Sequence, residues 1–464
     1  MRTAVLDDDP TGSQAVHGVT VVLPSEPDFA EVLADPRACC FVLTNTRSMV
    51  ETDAVALTRD VAIRLFRLER DGGLAVELVS RGDSTLRGHV LAEVRAIDAA
   101  RREVLGAGFD GMLLVPAYFE AGRFTEGDIH YATVGGAPVP VGETEFARDA
   151  SFGFRASNLR DFLVEKGAVE KGAVERGAEE GAVEKGSGAI AREHVLSIGL
   201  DDIRVGGLDR VAEILRGARE LTPVVVNATG YDDLDVVVRA LRLVEAEGLR
   251  FVSRSGPSFV RALIGSGEST PLTSAELTAG AGALGAGHGL VVVGSHVGQT
   301  GRQLARLAER FPLTRVELDV PELLADPSGR ALAEVTARVR AALEHEDVLL
   351  TTSRSLVRDP DPGRSLEIAA AVSAAVVEVV RAALAAHPAW VLAKGGITSH
   401  DVAVHGLGLR RATVLGQFLP GMVSALRIDE AEDAAARGIR FVVFAGNVGD
   451  DDALADVVAR LRGA

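Results

Sequence analysis

Short apolar runs rich in valine and leucine alternate along the chain with longer stretches of helical periodicity. A first series reads TAVLD, GVTVVL, ACCFVLT, LAVELVS, GMLLVPA, PVVVNA and LRFVS. A second begins at GLVVVGS and continues through TRVELDV, DVLLTTS, WVLAKGG, ATVLGQ and RFVVFAGN. Near-continuous apolar strands separated by helices predict α/β layers around mainly parallel sheets. Between the series lies SGESTPLTSAELTAGAGALGAGHG, poor in large apolar residues. We read 266–288 as a linker, with one α/β/α domain over 1–265 and a second over 289–464. One segment breaks the pattern: residues 164–186 repeat a Gly-Ala-Val-Glu-Lys unit. Its period of five matches neither helix nor strand, and predicts a solvated, mobile insertion.

In open α/β sheets, ligands bind outside the carboxyl ends of the strands. In the first half those ends read DDDPTGSQ, TNTRS, SRGDSTLRGH, PAYFEAGR, NATGYDD and SRSGPS. SRGDSTLRGH is the densest. Arg81 and Arg87 offer planar forks for a carboxylate, and Asp83, Ser84 and Thr85 offer hydroxyl partners. Asp83-Ser84-Thr85 also fits a helix cap. Asn45 and Arg47 are further substrate candidates. In the second half the ends read GSHVGQTGR, TTSRS, AKGGITSHD, GQFLPG and AGNVGDDD. Glycine lets backbone N–H groups approach a phosphate closely. Asp450, Asp451 and Asp452 read as helix-start carboxylates, with Mg²⁺ contact the lesser alternative. Of His89, His296 and His400, only His296 is a candidate for function.

Composition narrows the chemistry. The 464-residue chain carries a formal charge of -17, which argues against sequence-independent nucleic-acid binding. No uninterrupted apolar run reaches a membrane span, and MRTAVLDDD does not read as a signal peptide. Cys39 and Cys40 read as reduced core residues of a cytoplasmic protein. Neither HExxH nor a Cys/His cluster of zinc-ligand spacing occurs, so no metal ligands are predicted. GAGALG at 280–285 precedes a strand, the reverse of the dinucleotide fingerprint, and no Walker A sequence occurs. Only four lysines are present, and three lie in the repeat. The fourth, Lys394, ends an apolar strand before Gly395-Gly396, which suggests phosphate contact.

The stretches LDDDPTGSQ, SRGDSTLRGH, PAYFEAGRFTEGDIHY, ETEFARDASFGFRASNLRD, VVVGSHVGQT, AKGGITSHD, GQFLPG and AGNVGDDDAL together resemble the four-carbon acid sugar kinases, the tetronate kinase family. The resemblance runs through nearly the whole chain, and the repeat has no counterpart in it. It implies an N-terminal acid-sugar-binding domain, a C-terminal nucleotide-binding domain and an active site in the cleft between them. It also implies ATP-dependent phosphorylation of the terminal hydroxyl of erythronate, threonate or a 3-oxo-tetronate. By motif match, Asp8, Asp9, Thr11, Arg81, Asp83, Ser84 and Arg87 fall in the substrate site. Ser295, Gly395, Gly396, Thr398, Ser399, Gly446 and Gly449 fall in the ATP site. Asp9 or Asp83 would accept the hydroxyl proton, Arg81 or Arg87 would clamp the substrate carboxylate with Arg47 helping, and Lys394 would hold phosphate beside Mg²⁺. A homodimer is a further expectation from the resemblance. An NAD(P)-dependent oxidoreductase and a non-catalytic sugar-acid sensor are the alternatives.

Overall fold

The computed structural model describes residues 1–463 apart from 11, 27, 178–189, 268–269, 279–286, 296–297, 327, 354–361, 420 and 447, with backbone alone for 169–177, 278, 362, 363 and 366. The described strands, numbered in chain order, are β1 (Arg2–Asp7), β2 (Thr20–Val22), β3 (Cys39–Leu43), β4 (Val76–Arg81), β5 (Gly111–Val115), β6 (Arg123–Glu126), β7 (Ile129–Val134), β8 (Ala137–Pro140) and β9 (Leu196–Ile198). They continue with β10 (Thr222–Val226), β11 (Phe251–Ser255), β12 (Gly289–Val293), β13 (Thr314–Leu318), β14 (Val348–Thr352), β15 (Trp390–Lys394), β16 (Leu409–Leu419), β17 (Val423–Ala431) and β18 (Arg440–Phe444).

The chain forms two compact units. In the first, the strands run in the order β3-β1-β4-β11-β5-β10-β9, all parallel. β1, β4, β5 and β11 are buried on both faces, and helices such as Glu51–Gly72 and Val90–Leu105 supply the crossovers. From β1 the chain builds first to one side, through β3, and then to the other, through β4. That reversal opens a crevice at the carboxyl end of β1, which carries the aspartates. The strands β6, β7 and β8 form a separate antiparallel sheet. The apolar runs did not reveal it, because its side chains are only partly buried. Its turns are legible: Gly127-Asp128 and Gly135-Gly136 all have positive φ, the conformation of tight hairpin turns.

In the second unit β13, β14, β12, β15 and β18 are parallel neighbours in that order. β17, β16 and β2 extend the series antiparallel. Here the order reverses at β12, between β14 and β15, and the glycine loops follow β12, β15 and β18.

Three expectations need correction. Val16–Leu23 belongs to the second unit, not the first, because β2 pairs with β16. The segment read as a linker is not bare: Leu272 and Leu277 are buried in the second unit's core with Trp390, Phe418 and Phe444. Burying each such leucine stabilises by about 1.5–3 kcal/mol. The repeat is helical at its start, since the helix Leu159–Gly177 runs into it. Alanine, glutamate and lysine favour helix strongly enough to carry it past glycines costing roughly 1 kcal/mol each. The rest of the repeat, and GAGALG, lie outside the described residues. One further segment, Glu367–Ala386, is long and apolar enough to cross a membrane by composition, with a mean hydropathy of 1.9, which the search for uninterrupted apolar runs did not register. In the fold it buries Val376, Val379 and Val380 and packs against the helix Arg330–Leu343, as a layer helix does.

Candidate functional site

The first unit collects its charge at the reversal. Asp7 and Arg81 are register partners on β1 and β4, so their side chains meet, with Arg81 Nη1 3.0 Å from Asp7 Oδ1. Both are buried. Burial outweighs the pull of Arg81 and, with Asp8 and Asp9 nearby, pushes the Asp7 carboxyl up to about 7. Asp8 is 1 % exposed. Arg47 Nη2 contacts it at 2.5 Å, Arg254 Nη2 at 3.3 Å and Arg81 Nη1 at 3.8 Å. Asp9 is more open, its side chain 20 % exposed, with Arg47 Nη1 at 3.3 Å. The loop after β3 brings Arg47 here, its backbone N–H donating to the Asp8 carbonyl at 3.2 Å.

The loop after β4 supplies the opposite wall. Asp83 accepts from Arg87 Nε at 2.6 Å and from Thr85 Oγ1. Although burial opposes it, Arg47 and Arg87 hold the Asp83 carboxyl well below the usual range. Asp83 therefore stays ionised. The helix-cap reading of Asp83-Ser84-Thr85 fails, since the helix Val90–Leu105 starts at His89. His89 Nε2 instead lies 3.0 Å from the Met49 carbonyl. Ser84 Oγ accepts from Arg123 Nη1 at 2.9 Å. The Ser84 carbonyl accepts from His130 Nε2 at 2.7 Å. Nε2 must carry the proton to donate there, so Nδ1 accepts from Thr125 Oγ1 at 3.0 Å. Burial lowers the His130 pKa to about 4, which keeps this tautomer neutral and fixed. Asn45 turns away, donating to Ser48 Oγ at 3.0 Å. Thr11 lies outside the described residues.

The expected carboxylate clamp changes accordingly. Arg81 is spent on Asp7, and Arg87 is spent on Asp83 with Asp149 at 3.7 Å. Arg254, which the motif reading missed, bonds Glu93, Ser80 Oγ and Asp8. Arg123, also missed, forms no ion pair among the described residues. Its guanidinium lies 5.7 Å from the Tyr118 ring centre and 5.6 Å from that of Phe146. Burial lowers its pKa. Its strand, β6, belongs to the small sheet that the apolar pattern left unread.

In the second unit three loops converge. A Cβ at Gly446 would come 3.0 Å from Ser295 Oγ. One at Gly395 would come 3.3 Å from Thr398 Oγ1 and 3.7 Å from Ser295 N. One at Gly294 would collide with Thr398 Oγ1. Gly395 also has φ +122, a conformation L side chains rarely adopt. Glycine is thus required where Ser295, Thr398 and the backbones come together. Thr300 Oγ1 donates to Ser295 Oγ at 3.0 Å. Gln303 Nε2 donates to the Val448 and Asp450 carbonyls at 3.1 and 2.7 Å, and Gln299 donates to that of Gly449. These three side chains pin the loop carrying Gly446 and Gly449. Gly396 opens the short helix after β15 and is partly exposed. Ser399 is fully buried and back-bonds to the Ala393 carbonyl at 3.0 Å, a structural role. His296 lies outside the described residues. The three aspartates are not side-chain caps of the helix Ala453–Leu461. Asp451 and Asp452 pair with Arg302 and Arg306, at 2.8 and 3.0 Å.

Lys394 departs from expectation. It is fully buried, its Nζ 4.0 Å from the Phe444 ring centre and 3.2 Å from the Ala445 carbonyl. Its register partner on β18 is Phe444, so the side chain points into the layer instead of toward a ligand. It anchors the start of the Gly446 loop. Desolvation lowers its pKa from 10.5 to about 7. The unfolded chain therefore binds the proton more tightly, and the group destabilises the fold fully below pH 7. That penalty fades as pH rises toward 10.5. Lys394→Met keeps the stem and removes the charge, so it raises the melting temperature by several degrees at pH 6.5. The gain shrinks toward pH 10, and thermal melts at the two pH values check it.

Comparisons with known proteins agree with this division. Residues 3–263 match the model of a sugar-binding N-terminal domain, and residues 290–454 that of a nucleotide-binding C-terminal domain. A solved Haemophilus influenzae protein of the DUF1537 family is 16 % identical, with 99 % of this chain and 100 % of that one covered and a TM-score of 0.63. A Salmonella typhimurium LT2 protein, provisionally labelled a tRNA synthase, is also 16 % identical, with 98 % of each chain covered and a TM-score of 0.68. At such identity these two establish the fold alone. No protein among the curated ones matches. With both of its domain models matched in order along nearly its whole length, the chain belongs to the four-carbon acid sugar kinase family.

Proposed function

We propose that the protein transfers the γ-phosphoryl group of ATP to the terminal hydroxyl of a four-carbon sugar acid, erythronate, threonate or a 3-oxo-tetronate. The observation that carries this reading is Arg123. In a site where each neighbouring arginine already holds a carboxylate, Arg123 is the cation left for an incoming one. Its fork would take the substrate carboxylate, and Ser84 and the ring faces of Tyr118 and Phe146 would hold the fork in place. Asp83, fixed as an anion, accepts hydrogen bonds from the chain hydroxyls. Asp9 lies within reach of solvent and receives the terminal hydroxyl's proton.

The glycine loops of the second unit suit MgATP, which enters as a substrate. The backbone N–H of Gly446 and the hydroxyls of Ser295 and Thr398 would bind its phosphates, while the Gly395 N–H is held by the Phe444 carbonyl at 2.9 Å. Lys394 holds the Gly446 loop from beneath and does not touch the ligand. The bound ion offsets charge on the phosphates. Phosphoryl transfer asks little more of a protein than positioning and charge neutralisation. Phosphorus NMR of the reaction mixture tests the reading: a new phosphomonoester on the sugar acid's terminal carbon is expected. Release of inorganic phosphate alone would contradict it.

A further inference from the structure

Beyond this reading, the helix after β15 ends in a π turn. The helix Gly396–Asp401 passes directly into Val402–Gly406, where the Leu407 N–H donates to the Val402 carbonyl at 2.7 Å, an i→i−5 bond. Such a turn widens the coil and brings residues five apart onto one face. His400 and His405 have that spacing. Their ring centres are 6.1 Å apart, and one donor atom from each of His400, Asp401 and His405 lies within 4.8 Å of the others. The geometry points to a binding site for a divalent transition ion of the zinc class, held by His400, Asp401 and His405.

The chemistry of the donors selects the ion. Two imidazoles and a carboxylate suit zinc, cobalt and nickel, whereas magnesium and calcium prefer oxygen alone. Around zinc, donors at about 2.0–2.2 Å in a tetrahedron stand about 3.4 Å from one another. Closing from 4.8 Å to that spacing asks the donor atoms to approach by about 1.4 Å. Three protein ligands leave a fourth position open to water or an anion. Two neutral imidazoles and one carboxylate leave a net charge of +1 on a divalent complex. The half-exposed setting tolerates that charge.

The surroundings hold the donors from outside, as the supports of a metal site do. Ser373 Oγ, on the helix Pro362–Ala383, donates to Asp401 Oδ2. Arg381 Nε, from the same helix, donates to the His405 carbonyl at 2.5 Å. Gly406 completes the turn where a Cβ would come 2.9 Å from Val380 Cγ1. The π turn is therefore built against this helix and is not an accident of a frayed end. The spacing i, i+1, i+5 lies outside HExxH and the zinc-finger patterns, so a search for those motifs passes over it.

The test uses the full-length protein stripped with a chelator and titrated with Co²⁺, then with Zn²⁺, in the absence of nucleotide. Wild type is expected to develop the visible d–d absorption of a site with nitrogen ligands, and Zn²⁺ is expected to bleach it. A tenfold excess of Mg²⁺ is expected to leave it unchanged. His405→Ala changes an exposed side chain and should leave the melting temperature of the metal-free protein unaltered; it is expected to weaken Co²⁺ binding at least tenfold. Asp401→Asn should weaken it as well. No visible band in wild type, or a band equally strong in His405→Ala, would overturn the assignment. Because the readout is metal binding, it is independent of whether the protein proves to be a kinase.

Discussion

Asp9→Asn lowers turnover by about two to four orders of magnitude, the contribution of a positioned acid–base group, and leaves the fold intact. Asp9 is the acceptor because its neighbours are more deeply enclosed. Asp7 is buried on Arg81. Asp8 is enclosed by Arg47, Arg254 and Arg81. Asp83 is held as an anion by Arg87 and Arg47, and its Oδ2 already accepts from Arg87 Nε and Thr85 Oγ1. Of the three β1 aspartates Asp9 has the most exposed side chain, at 20 %, with Arg47 Nη1 at 3.3 Å. A weak base suffices, because the transition state of phosphoryl transfer is loose and the hydroxyl proton leaves late. The asparagine variant keeps a hydrogen-bond acceptor for the hydroxyl and loses only the charge and the basicity. Binding of the sugar acid should therefore change little while kcat collapses. Steady-state kinetics together with circular dichroism separate the two. Near-normal kcat in Asp9→Asn, with kcat lost in Asp83→Asn, would move the proton acceptor to Asp83.

Arg123→Gln raises KM for the sugar acid roughly ten- to a hundredfold, with a smaller change in kcat. A hydrogen bond to a charged group is worth about 1.5–3 kcal/mol, and each 1.36 kcal/mol is about a factor of ten. The effect is strong because Arg123 is already partly desolvated: burial lowers its pKa, and aromatic faces flank it. A carboxylate arriving there meets a preformed cation. Arg123→Lys restores charge without the planar fork and should recover only part of the loss. The nucleotide KM should not move. Equal KM values for wild type and Arg123→Gln would return the clamp to Arg87, whose side chain is 30 % exposed.

The sequence reading of α/β layers held wherever strands were buried on both faces, as β1, β4, β5 and β12 are. It failed where pairing is long-range or half-exposed. β2 follows β1 closely in the chain but finds its partner at β16, and no local period encodes that. β6 to β8 expose much of their surface and announce themselves only by their Gly-Asp and Gly-Gly turns. The site divides in the same way. Asp8, Asp9, Arg47 and Asp83 sit at strand ends and were legible from position and residue type. Which arginine remains for a ligand was not legible, because that depends on which carboxylates the others reach. Arg81 looked available until its register with Asp7 was known. Lys394 was recognisable as unusual from lysine usage alone, but its inward direction follows from the strand's alternation against Phe444.

We propose that one chain serves both an acid-sugar site and a nucleotide site. ADP release by the purified protein with MgATP, measured against D-erythronate, L-threonate, D-threonate and their 3-oxo relatives, tests it most directly. Turnover is expected to depend on one member of this panel and to fall with both Asp9→Asn and Arg123→Gln. ADP release that is the same with and without every acid, or no release at all, would contradict it.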